Sequence, residues 1–238
     1  MPDQLVMATV YTGKLSQPRF FFPKLPKASQ SILFMSIFIL ATLVAFVVQL
    51  AKSRYQKGRI ALLAGHLGNY QIEKLMETLT EGYMRALGEP DKERRTQIWQ
   101  LMHTSEAALS SQLGRFATEF AKVDGPAAQI SRLPVALAFA DRLLPGVPYA
   151  RFDVREAFFI HAQGIASLVE NRDATPPKDH AFTVSAELFL LQHTCHWFCK
   201  SRGVASGRLL ARHRTSHAQV LESVTPATRT AYRTLTGL

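Results

Sequence analysis

Hydrophobic positions are distributed very unevenly along this chain. Residues Ile32 to Leu50 read ILFMSIFILATLVAFVVQL, an apolar run with no charge, no Pro and no Gly. At the rise of an α-helix its 19 residues extend about 28 Å, close to the hydrocarbon thickness of a bilayer. A backbone in lipid must satisfy its own hydrogen bonds, so the run is expected to form a transmembrane helix. Ser36 and Thr42 are tolerable within it because their hydroxyls can bond back to the preceding turn. A cleaved signal peptide fits less well. The run starts after 31 residues, is longer than an ordinary signal core, and lacks an A-x-A site behind it.

Beyond Ile60 the texture changes. Ala, Leu, Glu, Gln and Arg are abundant, apolar residues recur every three or four positions, and alternating β-branched runs are missing. The pattern predicts a helix over 60–87, stopped by Gly88 and Pro90, with its first turns weakened by Gly65 and Gly68. A second is expected over 91–123, ended by Asp124-Gly125-Pro126. Four prolines between 126 and 150 suggest short helices and turns. Asp153 followed by Glu156 reads as an N-cap opening a helix to about Asn171, and a strongly apolar helix follows over 179–201. Two short helices close the chain, one capped by Thr215 or Ser216 and one opened by Thr225 with Pro226 at its first position. The expected fold is therefore all-α, a single N-terminal transmembrane helix followed by a bundle of about six helices. Its parts are a tail (1–31), the membrane helix (32–50), a basic juxtamembrane segment (51–59) and the helical domain (60–238).

Composition supports this division. Hydrophobic residues make up 47% of the chain and charged residues only 19%, against about 25% in ordinary soluble domains. One concentrated apolar segment accounts for the shortfall. Lys and Arg exceed Asp and Glu by 10, which favours anionic neighbours such as lipid headgroups or nucleic acid. Both flanks of the apolar run suit a membrane surface. Arg19, Phe20, Phe21, Phe22 and Lys24 precede it, and Lys52, Arg54, Lys57 and Arg59 follow it. Basic residues are nearly balanced across the run, but the tighter cluster after it points to a cytoplasmic C-terminal domain.

Three patterns carry candidate chemistry. In the helix over 91–123, Met102, Leu109, Phe116 and Val123 recur every seven residues, with Leu113 and Phe120 between them. This stripe reads either as one face of an intramolecular bundle or as a surface for a protein partner or a second copy of the chain. The segment His193-Thr194-Cys195-His196-Trp197-Phe198-Cys199 holds four residues of the types zinc or haem iron prefers. On a straight helix one ion cannot collect His193, Cys195, His196 and Cys199 together. His196 with Cys199 could supply half a site, completed by His180, His213 or His217, whereas two buried cysteines acting as small hydrophobes is the simpler reading. His161, among Phe158, Phe159 and Ile160, reads as a core histidine. Finally, Lys200, Arg202, Arg208, Arg212, Arg214, Arg229 and Arg233 stand against one acid, Glu222. A basic end of this kind suits an anionic lipid surface. It lacks the interleaved aromatics of a single-strand nucleic-acid binder.

Ala64-Gly65-His66-Leu67-Gly68-Asn69-Tyr70-Gln71 resembles the H-x4-[DE] box of membrane-linked glycerolipid and lipid A acyltransferases, with Gln71 in place of the acid. That resemblance implies an α/β fold and a base histidine at His66. It covers eight residues. Nucleophile-elbow, P-loop and dinucleotide-binding patterns are absent. The sequence thus points to a single-pass membrane protein with a non-enzymatic, interaction or scaffolding helical domain and no expected cofactor. A metal- or haem-binding protein centred on His193–Cys199 is the alternative, and anionic-lipid or nucleic-acid binding through the basic end is the third.

Overall fold

The computed structural model describes residues 27–134 and 151–238, with side chains from Ser31 onward. Arg19, Phe20, Phe21, Phe22 and Lys24 lie outside the described residues. So does most of the proline-rich stretch expected as short helices and turns. The chain falls into two compact units, Met1–Phe46 and Val47–Leu238.

Helix α1, Lys27–Leu67, contains the apolar run. Among the described residues it is the one helix long and apolar enough to cross a membrane, and its apolar window is not buried by the protein. Phe34 and Phe38 are 71% and 72% exposed. The hydroxyls of Ser36 and Thr42 donate to the carbonyls of Ile32 and Phe38 at 2.9 and 2.8 Å, closing on the preceding turn as the sequence suggested.

The expected boundary between a juxtamembrane segment and a helix over 60–87 is not found. Helix α1 instead runs through 51–59 to Leu67, and the chain turns at Gly68–Gln71 before α2, Ile72–Gly88. The two glycines mark this break, and the turn is closed by Gly68 and Tyr70 amides bonding to Ala64 and Leu67 carbonyls. Helix α3, Lys92–Phe120, packs on α2, and Asp91 caps its start by accepting from the Arg94 amide at 2.7 Å. A single turn, α4 (Gly125–Ala128), leads into β1, Gln129–Ser131. Strand β2, Arg151–Asp153, pairs with it antiparallel, placing Ile130 opposite Phe152. These strands were not expected from sequence. Three residues are too few to show an alternating pattern.

Helix α5, Val154–Glu170, begins at the Asp153 cap and ends at Asn171 as read from the sequence. One 3-10 turn, Arg172–Ala174, precedes α6, Pro177–Cys199. Then come α7 (Arg202–His213), α8 (His217–Ser223) and α9 (Pro226–Thr236). Ser216 and Gln219 form a reciprocal capping box at α8, and Thr225 with Pro226 opens α9. The expectation of two closing helices is corrected to three. Gly203 and Gly207 hide α7 from propensity, although Ser201 caps it and Ala205 and Leu209 bury one face.

The core is aromatic at its centre. Phe116 and Phe120 of α3 meet Phe158 of α5 edge to face at 5.0 Å, and Phe120 meets Phe198 of α6 at 5.9 Å. Met102, Leu109, Leu113, Phe116 and Phe120 are all buried. The stripe read as a partner surface is therefore the inner face of α3, covered mainly by α2 and α5. Gly82 makes room for it, since a Cβ there would collide with Met102.

Arg59 also departs from its expected role. One guanidinium nitrogen donates to the Gln129 carbonyl at 2.5 Å, another to Tyr55 at 2.7 Å, and the group lies 4.2 Å over the Phe198 ring. It fastens the end of α1 to β1 and α6, and so is withdrawn from the lipid-facing set. Lys200 adds a second tie to α1 through Gln56 at 3.1 Å.

Candidate functional site

Polar chemistry concentrates along α6, whose inner face carries His180, Glu187, His193 and Thr194 among Leu and Ala. Burying such groups is costly unless they find partners, so each marks a specific contact. His180 donates to Glu106 of α3 at 3.0 Å. The same carboxylate accepts from the Tyr83 hydroxyl at 2.6 Å and from Arg172. Burial pushes Glu106 up, but hydrogen bonds from His180, Tyr83 and Arg172 outweigh it and hold the carboxyl down at about 2. This clamp ties α2, α3, α6 and the 3-10 turn together.

One helical stretch further on, Glu187 accepts from the amide and hydroxyl of Thr225, both at 3.1 Å, and so holds the start of α9. Burial raises its pKa, and hydrogen bonds from Thr228 and Thr225 oppose that rise. Gly164 of α5 lies against this carboxylate and Thr228.

The histidines come next. His161 Nε2 is 2.8 Å from the Thr194 hydroxyl, which lies 3.0 Å from the Tyr232 hydroxyl. Burial lowers His161 to about 3, so the ring is neutral and serves as a core hydrogen-bonding group, as expected. His193 stacks flat on His217 at 3.9 Å, and its Nε2 lies 3.1 Å from the Ser206 hydroxyl. Burial lowers it first, and the neighbouring His217, His196 and His161 lower it further, to about 2.

The metal- or haem-ligand set does not assemble. His193 and His196 face the α6–α7 pocket, whereas Cys195 and Cys199 pack against the hydrophobic core. Burial raises both thiols. Among the described residues no three His, Cys, Asp or Glu side chains gather as metal ligands would. At about 100° per residue His193 lies about 120–160° around α6 from Cys195 and Cys199, with His196 between, so the four cannot converge on one ion.

The acyltransferase-like stretch is likewise built for structure. His66 packs against Phe120 edge to face at 5.2 Å, and the Gln71 backbone N–H donates to Gln112 Oε1 at 2.7 Å. The surroundings are helical, not the α/β arrangement that resemblance implies.

Between α6 and α7 lies an open pocket of about 470 Å³, lined by Gln192, His193, His196, Leu209 and the exposed Arg208 and Arg212, with two alanines. Gln192 and His196 are one turn apart on α6, and Arg208 and Arg212 one turn apart on α7. Sequence reading found the two arginines only as part of a basic run and missed Gln192. Spacing of four on two successive helices was the available signal. The rest of that basic run is largely engaged internally. Arg229 and Arg233 pair with Glu222, and Arg202 lies 5.9 Å over the Trp197 ring.

Comparison with known protein families, characterised proteins and solved structures gives no match to this chain.

Proposed function

We propose that this chain is a single-pass membrane protein whose helical domain is a non-enzymatic binding module, presenting the α6–α7 pocket to its partner. The observation that carries the anchor is the all-round exposure of large apolar side chains on α1, from Ile32 to Leu50, which water would not tolerate. A binding role is supported by how the domain uses its polar groups. The Glu106, Glu187 and His161 clusters each join different helices and lie inside, so they stiffen the domain that frames the pocket. With Arg59 withdrawn, Lys52, Arg54 and Lys57 remain as the basic cluster following the apolar run, and a cytoplasmic domain rests on their density next to the run alone, since Lys14, Arg19, Lys24 and Lys27 precede it.

Alkaline carbonate extraction of membranes tests the anchor. The wild-type chain stays with the membrane pellet. Phe38→Arg together with Val44→Arg, each costing about 3 kcal/mol at a helix centre, releases it to the supernatant. Release of the wild type would overturn the anchor, and a reporter fused after Leu238 reads the side.

A further inference from the structure

The α6–α7 pocket has a one-sided chemistry. Arginine can only donate, so the Arg208 guanidinium donates to His196 Nδ1 at 3.2 Å. That fixes the neutral His196 ring as the tautomer with its hydrogen on Nε2. Gln192 has its Oε1 taken by His213 Nε2 at 2.9 Å, which leaves its amide NH₂ as a donor. Arg212 adds a second guanidinium one turn from Arg208. No carboxylate lines the pocket, and among the described residues neither arginine forms an ion pair. The charge is felt nearby. Burial lowers His196, and Arg208 and Arg212 lower it further. Ala211 and the edge of Leu209 supply apolar surface beside these donors, with Ala205 buried behind them.

We propose that this pocket binds an organic phosphate, with the phosphate oxygens on Arg208, Arg212 and the His196 Nε2–H, and the organic part beside Ala211 and the exposed edge of Leu209. Arg208 and Arg212 stand one turn apart on one helix face, with Cβ atoms about 6 Å apart, so their guanidinium groups can reach the oxygens of one tetrahedral anion. A carboxylate would occupy only one of them. The volume, about 470 Å³, exceeds what a bare phosphate needs and leaves room for the attached group. Such a phosphate can belong to a phospholipid headgroup or to a soluble ester. The inference rests on the reading of the pocket as the domain's binding site, and it is independent of the anchor.

The test uses the full chain in phosphatidylcholine nanodiscs, titrated with phenyl phosphate by calorimetry. Saturable binding is expected, falling as salt rises. Arg208→Gln with Arg212→Gln weakens it at least tenfold, the loss expected for hydrogen bonds to charged groups. Arg214→Gln, outside the pocket lining, leaves it unchanged. Replacing part of the lipid by phosphatidic acid separates the sources. Competition with phenyl phosphate assigns the pocket to a lipid phosphate, and unchanged binding assigns it to a soluble ester. Absence of saturable binding by folded protein, or equal binding by the double variant, overturns the proposal. Either result leaves the carbonate-extraction outcome, and hence the anchor, untouched.

Discussion

Glu106 is the residue whose replacement should reveal most about how this domain holds together. Its carboxylate is 2% exposed and accepts from three side chains on three different elements, Tyr83, Arg172 and His180. Glu106→Gln keeps the shape but removes the charge and turns one acceptor into a donor facing donors. Two routes give the magnitude. A carboxyl held at about 2 instead of near 4.5 corresponds to about 3 kcal/mol of stability. Breaking one side of a buried ion pair independently costs roughly 3–5 kcal/mol. For a domain of this size each kcal/mol lowers Tm by about 2–4 °C, so a fall of roughly 6–20 °C is expected at neutral pH. The pH dependence has a definite sign. Because the folded carboxyl is depressed, its contribution is complete above about pH 5 and is lost as pH falls toward about 2. The wild-type advantage over Glu106→Gln should therefore shrink across that window. Thermal melts of the full chain in detergent, followed by far-UV circular dichroism, measure it. Adding Arg172→Met to Glu106→Gln should recover part of the loss by removing the stranded cation. A single variant within about 2 °C of wild type at neutral pH, or a difference that does not change on acidification, would refute the clamp.

Two further substitutions separate interior from surface. Leu109→Asp puts a charge on the buried face of α3 and should cost more than about 4 kcal/mol, abolishing cooperative melting. Leu101→Asp on the exposed side of the same helix should stay within about 0.5 kcal/mol, and a folded Leu109→Asp protein would restore the stripe as a partner surface. Gly164→Ala would drive a methyl into Thr228 Oγ1 and to 3.0 Å from Glu187 Oε2, costing about 1–3 kcal/mol. Gly114→Ala meets nothing within 4 Å and should stabilise by about 0.5–1 kcal/mol. Urea titrations that give both glycine variants the same sign would contradict this packing.

Local chemistry by itself determined the helical class, the long apolar helix near the N-terminus and most helix ends. A run of nineteen uncharged residues, sixteen of them apolar, leaves the backbone little choice, and Asp153, Ser216 and Thr225-Pro226 cap helices through contacts within three or four residues of themselves. Only the tertiary structure decided which face of α3 is inward, because a seven-residue stripe looks the same whether its cover is α5 or another molecule. It also decided that Arg59 turns into the domain. A basic residue after an apolar helix looks lipid-bound until the Gln129 carbonyl and the Phe198 ring come into reach from far along the chain. The candidate site was decided in the same way. His196 and Cys199 are neighbours in sequence but face different surroundings, while His196 and Arg208 meet because Lys200 and Ser201 turn the chain between α6 and α7. Periodicity fixes which residues share a face, but long-range packing alone fixes what that face meets.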